Sequence, residues 1–127
     1  MNIAEGLKYS KDHEWIRVEG DTADVGITDY AQHNLGDIVY VELPGVGTTL
    51  SAGDVLGAVD SVKSASDIYT PVSGEVLKVN ESLSDAPEQV NTDAYASWIA
   101  ELKLTDLSEL DGLMDAAAYK EYCASEE

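Results

Sequence analysis

The stretch that decides the fold is Val59–Val76, which reads VDSVKSASDIYTPVSGEV and contains a single basic residue, Lys63. β-Branched residues stand on both sides of this lysine, as is typical of strands. The small residues Ser61 and Ser64–Ser66 lie between the two β-type runs and suit a tight turn. The stretch therefore predicts a β-hairpin with Lys63 at its tip, where small neighbours would let another protein reach the amine.

Short β-type runs, bounded by turn residues, continue on both sides of this hairpin. They are His13–Val18, Thr22–Ile27, Ile38–Leu43, Thr48–Leu50, Val55–Val59, Asp67–Thr70, Glu75–Val79 and Trp98–Leu104. Many short strands with regular turns are typical of an antiparallel barrel or sandwich. The length of 127 residues suits one domain, so we predict a single mainly β domain over residues 1–127.

Helical signals are few and peripheral. Thr28 is a candidate cap for a short helix that Gly36 would end, and residues 83–90 suit a helical turn. The C-terminal segment has apolar residues at helical spacing, with Ser108 as a candidate cap. We predict a C-terminal helix over about 106–122 that packs this apolar stripe on the β domain: Leu107, Leu110, Leu113, Met114 and Ala117.

Charge limits the classes of partner. The chain has 25 acidic and seven basic residues, a formal net charge of −18. Such a charge repels phosphate backbones and anionic lipid surfaces, so we expect no nucleic-acid or membrane role and expect partners with basic patches. No apolar run has the length of a signal sequence or a membrane span. We expect a cytoplasmic protein, or a mitochondrial one if a transit peptide has been removed.

Most candidate catalytic groups are weak. His13, His33 and Cys123 match no zinc-ligand spacing, so we predict no metal site, and Cys123 lies in an acidic tail that would not activate a thiolate. The tripeptide Asp60–Val62 is similar to the serine site of an acyl carrier protein, but those carriers are helical bundles. Lys63 remains as the candidate anchor for a covalently attached group.

Four motifs in order resemble the glycine cleavage system H-protein family, and the similarity runs from about Leu7 to Tyr122. The motifs are Tyr9–Trp15 (YSKDHEW), Gly26–Gln32 (GITDYAQ), Leu35–Pro44 (LGDIVYVELP), and Ser61–Lys63 (SVK) followed by Ser66–Tyr69 (SDIY). The resemblance implies a barrel-sandwich hybrid lipoyl domain with short peripheral helices and a C-terminal helix. It also implies that lipoic acid is joined to Lys63 through an amide, as N6-lipoyllysine.

In this family the lipoyl arm takes an aminomethyl group from glycine decarboxylase, the P protein, and gives it to the aminomethyltransferase, the T protein. Dihydrolipoamide dehydrogenase, the L protein, then reoxidises the arm, and a lipoate ligase or lipoyltransferase attaches it. The resemblance thus implies a carrier that is not itself an enzyme, since the cofactor and the partner enzymes supply the chemistry.

The loaded arm would end in a cationic amine that needs shelter from hydrolysis. Glu14 opens the first hairpin and Asp67 lies four residues past Lys63, so we predict that both line a cleft for the arm. Apolar neighbours such as Ile27 and Leu35 would exclude water from that cleft and strengthen the pairing.

Two positions depart from the family pattern. Asp60 stands where the family usually has glutamate, which keeps the charge, so we expect lipoyl attachment to survive. Residues 91–98 (NTDAYASW) lack the family's proline before the tyrosine and its glycines after it, which leaves the conformation of this loop open.

Other carriers are weaker matches. Biotin carriers usually bracket their lysine with methionines, whereas Val62 and Ser64 flank Lys63, and a 2-oxoacid dehydrogenase lipoyl domain would belong to a longer chain. An H-like protein that relays lipoyl groups to other enzymes would keep the same lysine and fold, so the sequence leaves that alternative open. An unmodified interaction module would need no lysine at the tip.

Overall fold

The computed structural model describes residues 2–126 and contains two antiparallel sheets. A six-stranded sheet has the order β1-β2-β3-β9-β8-β5, and a three-stranded sheet has the order β4-β6-β7. The strands are β1 Lys8–Tyr9, β2 Glu14–Glu19, β3 Thr22–Ile27, β4 Ile38–Glu42, β5 Thr49–Leu50, β6 Val55–Ser61, β7 Ala65–Tyr69, β8 Gly74–Val79 and β9 Ala100–Leu104. Within these residues the sheets remain two separate layers and form no closed barrel, so the predicted sandwich is confirmed.

The core lies between the sheets because alternate side chains of each strand point inward. Val25 on β3 and Leu102 on β9 are fully buried. On the smaller sheet, Val41 and Val59 each have 1% of their surface exposed. These side chains belong to one apolar cluster that spans both sheets. Burial of each such side chain stabilises the fold by about 1.5–3 kcal/mol before entropy is counted.

The first hairpin matches the prediction. β2 and β3 pair without interruption from Glu14↔Ile27 to Glu19↔Thr22. A side chain at Gly26 would collide with Trp15, since a Cβ there would lie 2.6 Å from the indole. The fully buried Trp15 ring therefore requires glycine opposite it, and its Nε1–H donates to the Ala94 carbonyl at 3.1 Å. This bond packs the altered 91–98 segment against the sheet.

The helices are short, as predicted. Helix α1 spans Asp29–Leu35; the Thr28 hydroxyl accepts the N–H of Ala31 at its start, and Gly36 ends it at φ 85°. The four-residue helices α2, Ser82–Asp85, and α3, Gln89–Thr92, fall in or beside the segment predicted to contain a helical turn.

The C-terminal helix differs from the prediction of one helix over about 106–122. A 3₁₀ helix spans Leu107–Gly112, and helix α4 begins only at Ala116 and runs to Glu126. The chain is extended between them because Met114 exchanges two backbone hydrogen bonds with Tyr9, at 2.8 and 2.9 Å.

Because the helix is interrupted, its capping residue and its buried apolar residues differ from those predicted. Asp106, not Ser108, caps the 3₁₀ helix, and its carboxylate accepts the Ser108 N–H at 3.0 Å. Leu107 and Ala117, predicted to pack on the β domain, are exposed. Helix α4 instead buries a different set: Ala116, Tyr119 and Cys123.

Tyr119 joins the N-terminal and C-terminal parts of the chain. Its ring stacks on Tyr9 with centroids 4.4 Å apart, and its hydroxyl lies 2.8 Å from His13 Nδ1 and 2.7 Å from Thr28 Oγ1. Cys123 is fully buried in the same cluster, so it belongs to the core rather than to an exposed acidic tail. The cluster holds α4, α1 and the start of β2 together.

We expect Tyr119→Phe to keep the stacked ring and to lower the free energy of unfolding by about 2 kcal/mol, because two largely buried hydrogen bonds are lost. Denaturant unfolding measures this change. Tyr40→Phe removes a hydroxyl from an exposed ring and is the matched control, with an expected change below about 0.5 kcal/mol. Equal losses in the two variants would contradict a structural role for the Tyr119 hydroxyl.

Candidate functional site

Lys63 lies in the tight turn between β6 and β7, as predicted. The last strand pair is Asp60↔Ala65, and the Ser61 N–H donates to the Ser64 carbonyl at 2.7 Å. The Ser61 hydroxyl also accepts the backbone N–H groups of Lys63 and Ser64, at 3.3 and 3.1 Å. The Ser61 hydroxyl also donates to the Ser64 carbonyl at 3.2 Å, so four hydrogen bonds hold the turn, while the Lys63 side chain is exposed.

The turn is also tied to the end of α1. The Val62 N–H donates to the Asp37 carbonyl at 3.0 Å. The Lys63 side chain lies against Gly36, since a Cβ built on that glycine would be 3.6 Å from Lys63 Cε. The Lys63 side chain therefore lies next to the C-terminal end of α1.

Glu14 is a buried carboxylate at the start of β2, with 2% of its surface exposed. The Ser10 hydroxyl donates to its Oε1 at 2.6 Å, and the Tyr69 N–H donates to its Oε2 at 3.3 Å. No cationic side chain of the described residues pairs with it. Burial raises the pKa of the Glu14 carboxyl to about 7, even though the Ser10 and Tyr69 hydrogen bonds favour the charged form.

Apolar residues occur along the chain from Gly36, which lies beside Lys63, back to Ile27, which pairs with Glu14. Leu35 and Ala31 lie one turn apart on the half-buried face of α1, and the buried Ile27 pairs directly with Glu14. From position 36 back to 28 the helix axis covers about 12 Å. Strand β7 covers a similar distance, about 14 Å, from the lysine turn to the Tyr69 amide that binds Glu14. Ile27 is part of the core and Leu35 packs against it, so their role as apolar neighbours of the arm stays a prediction.

Asp67 has a different setting from Glu14. It is exposed on β7 and lies two residues, about 7 Å, before Tyr69. Asp67 therefore lies on β7 itself, whereas Glu14 belongs to β2 and meets β7 only at the Tyr69 amide.

A cleft of about 240 Å³ opens beside Glu14. Ser10 and Tyr69, which both bind the carboxylate, line it, and the extended segment around Met114 forms another wall. Asp12 is the acid of its lining, while Glu14 lies behind Ser10 and Tyr69 and does not line the cleft. No local sequence pattern indicates this cleft, because its walls come from four separate parts of the chain: residues 9–12, Gly53, 69–71 and 112–114.

Of the remaining candidate groups, His33 is exposed on α1, whereas His13 and Cys123 have packing roles. His13 adopts φ 66° and stacks on Tyr30 with centroids 4.5 Å apart, while Cys123 is buried against α1 and β1 residues. Across residues 2–126 no three His, Cys, Asp or Glu side chains are grouped so as to hold a metal ion. In the same part of the chain, every helix is too short or too polar to cross a bilayer.

Comparison with known proteins gives a consistent result. The family model described as "Glycine cleavage H-protein" matches residues 7–126. The glycine cleavage system H protein of Thermoanaerobacter sp. (strain X514) is 62% identical over 126 residues, which is 99% of this chain and 100% of that one. The protein of the same name from Burkholderia ambifaria (strain MC40-6) is 57% identical and covers 93% of this chain and 94% of its own.

A crystal structure of a glycine cleavage system H protein from Mycobacterium marinum superposes with a TM-score of 0.85. It is 38% identical in sequence, and the match covers 98% of each chain. The family model, the relatives and the solved structure all extend over the lysine hairpin, the buried glutamate and α1. This chain belongs to the glycine cleavage H-protein family.

Proposed function

We propose that this chain is the lipoyl carrier of a glycine cleavage system and that Lys63 bears the lipoyl group through an amide at Nζ. The observation that carries the proposal is an exposed lysine on a rigid hairpin turn, in a family that is lipoyl-bearing. Attachment at such a point fixes one end of the arm while its other end moves. The names of the relatives favour glycine cleavage over the relay of lipoyl groups to other enzymes.

The residues around Lys63 fit a long acyl group. Its turn has only small or short side chains after the lysine, namely Ser64, Ala65 and Ser66, so the amine is open to an attaching enzyme. Ala31 and Leu35 on α1 pack against the core but are only half-buried, and their remaining surface is apolar and available to an acyl chain. When bound, the lipoyl group supplies a disulfide that accepts the aminomethyl carbon on reduction and returns to the disulfide on oxidation.

The side chains of this protein hold the lipoyl arm and shelter its aminomethyl group, and they take no part in bond making or breaking in the substrate. Lys63 anchors the arm, α1 excludes water along it, and no bond of the substrate breaks on a side chain of this protein. We propose that the reacting groups belong to the partner enzymes: glycine decarboxylase, the aminomethyltransferase and dihydrolipoamide dehydrogenase. A lipoate ligase or lipoyltransferase would modify Lys63.

We propose that Glu14 receives the cationic amine carried by the loaded arm, with Asp67 adding negative charge beside it. About 12 Å of helix axis separates Gly36, beside Lys63, from the start of α1 next to Ile27 and Glu14, a span that a lysine bearing a lipoyl group can cover. Glu14 is a buried carboxylate whose two donors are neutral, so a cation is the partner it lacks among the described residues. A charged hydrogen bond in such a place contributes about 1.5–3 kcal/mol.

The mass of the peptide that contains Lys63 tests the attachment site. In protein made in cells supplied with lipoate, we expect one lipoyl increment, and we expect it on Lys63. Lys11 is the internal control, because it also lies in a turn between paired strands, β1 and β2. An increment on Lys11, or an unmodified Lys63 peptide in cells that lipoylate another carrier, would refute the proposed site.

A further inference from the structure

Strand β4 exposes two adjacent large apolar side chains. Val39 is 54% exposed and Tyr40 is 53% exposed, whereas the flanking Ile38 and Val41 are buried. A regular strand would turn one of two neighbours inward. Here the pairing with β6 shifts between Ile38 and Tyr40, so a β-bulge turns both to solvent. Bulges of this kind re-aim side chains and are frequent beside functional sites.

This exposed pair lies next to the lysine turn. Tyr40 pairs with Asp60 and Ile38 pairs with Ser61, the residue at which the turn begins. Val62, which is 68% exposed and directly precedes Lys63, donates its N–H to Asp37 beside the same strand. We call Val39, Tyr40 and Val62 the tip patch.

Acidic side chains frame the tip patch. Asp37 is exposed at one end of it, and Asp60 is half-buried opposite Tyr40. Lys63 is the one basic residue between Arg17 and Lys78, so the patch combines an apolar centre, an acidic rim and one lysine. An enzyme with an apolar hollow and a rim of lysine or arginine side chains would complement it.

We propose that the tip patch is the docking surface for the enzyme that attaches the lipoyl group to Lys63. This inference rests on the proposed function, since it takes Lys63 as the attachment site. It adds the surface by which the attaching enzyme recognises the unmodified protein, and it assigns the bulge at Val39 to that recognition.

The chemistry of attachment selects this partner over the others. An amide bond forms between the neutral Nζ of Lys63 and the lipoyl carbonyl carbon of an acyl adenylate. The bond from that carbon to the phosphate oxygen breaks, AMP leaves, and a proton passes from Nζ to solvent. Because Nζ lies only one lysine side chain from the turn, the attaching enzyme must enclose the turn and touch Val62 and β4. Enzymes that act at the far end of the arm meet no such requirement.

The test compares two double variants of the unmodified full-length protein. Val39→Thr with Tyr40→Thr removes the apolar centre of the patch and places threonine, a residue that favours strands, at both positions. Val46→Thr with Val55→Thr is the matched control, because these valines are 64% and 50% exposed and lie outside the tip patch. Wild type and both double variants are modified by a purified lipoate–protein ligase with lipoate and ATP. The rate at which the intact mass gains the lipoyl increment, measured over a range of protein concentrations, gives kcat and KM.

We expect KM to rise at least about tenfold in the Val39 and Tyr40 double variant with kcat little changed, because the lost contacts bind the enzyme without taking part in amide formation. The control should stay within about twofold of wild type. Added salt should raise KM for the wild type, since it screens the acidic rim. Circular dichroism of both variants shows whether the sheet is intact.

Two failures are distinguishable. An unmodified Lys63 in the wild type would refute the proposed function, whereas normal wild-type modification with equal KM in all three proteins would refute only the docking surface. If the Val39 and Tyr40 double variant were modified normally but lost affinity for glycine decarboxylase, the patch would belong to that enzyme and the inference would be wrong. If the wild type sedimented as a dimer and the normally modified double variant as a monomer, the patch would be a self-association surface and the docking proposal would likewise be wrong.

Discussion

Replacing Lys63 with arginine is expected to abolish lipoyl attachment and carrier activity, with a change in the free energy of unfolding below about 0.5 kcal/mol. A guanidinium stays protonated and forms no amide under conditions in which an amine does. The fold should be unchanged because the side chain is exposed and forms no hydrogen bond or ion pair in the part of the chain that the structure describes. Intact mass, denaturant unfolding and aminomethyl transfer with the partner enzymes measure the three quantities.

Lys11→Arg is the matched control for this result. Lys11 lies in the turn between β1 and β2 and lines the cleft beside Glu14, so a general effect of charge or turn sequence would appear there too. We expect Lys11→Arg to be fully lipoylated and active. A lipoyl increment retained in the Lys63→Arg protein would mean that another lysine carries the group.

The lysine hairpin was predictable because its signals are local. Strand alternation and small turn residues act over about ten neighbouring residues, which is the range in which pattern reasoning works. The hydrogen bonds of Ser61 to the turn use the same residues that the sequence offered. The cap of α1 at Thr28 and its end at Gly36 were predictable for the same reason.

The C-terminal segment was mispredicted because a distant strand determines its conformation. The apolar spacing from Leu107 to Ala117 indicates one helix, but Met114 pairs with Tyr9, more than a hundred residues earlier in the chain. Two β-type hydrogen bonds there outweigh local helix preference, and Asp115 then accepts the Ala118 N–H to start α4 afresh.

The site was only partly predictable for a similar reason. The sequence singles out Glu14 by its position, but its burial depends on the Tyr69 amide, 55 residues away. The cleft beside it needs the Met114 segment as a wall. The outward turn of Val39 requires the register shift between β4 and β6, and a strand pattern read alone gives no sign of that shift.

Glu14→Gln is expected to stabilise the fold at high pH. In the folded state the pKa of the Glu14 carboxyl is raised from 4.5 to about 7, so the folded protein holds this proton more tightly than the unfolded chain. The contribution of Glu14 to stability is therefore most favourable below about pH 4.5, falls as pH rises to about 7, and stays low above it. Glutamine keeps the shape and never ionises: its carbonyl can accept the Tyr69 N–H and its amide can donate to Ser10.

The difference in unfolding free energy between variant and wild type should thus grow from near zero at pH 4 to about 3 kcal/mol at pH 8. This magnitude follows because each unit of pKa shift corresponds to about 1.4 kcal/mol. Denaturant unfolding across this range measures it. Glu75→Gln, at an exposed acid on β8, is the matched control and should give a difference that is flat with pH. A flat difference for Glu14→Gln as well would mean that Glu14 is solvated in solution.

The same substitution should harm the carrier. If Glu14 pairs with the cationic amine of the loaded arm, Glu14→Gln removes a charged hydrogen bond and should speed formaldehyde release from the loaded protein about tenfold at pH 8, without the transferase present. Release from the wild type should rise as pH falls below about 7, because the paired amine lowers the pKa of the Glu14 carboxyl from that value and protonation then removes the carboxylate charge. Release from the variant should lack this step. If Glu14→Gln both raises the free energy of unfolding and speeds formaldehyde release, the buried charge of Glu14 serves the loaded arm and not the stability of the fold. Equal release rates at pH 8 would instead remove Glu14 from the mechanism and leave Asp67 or Asp12 as the acid near the amine.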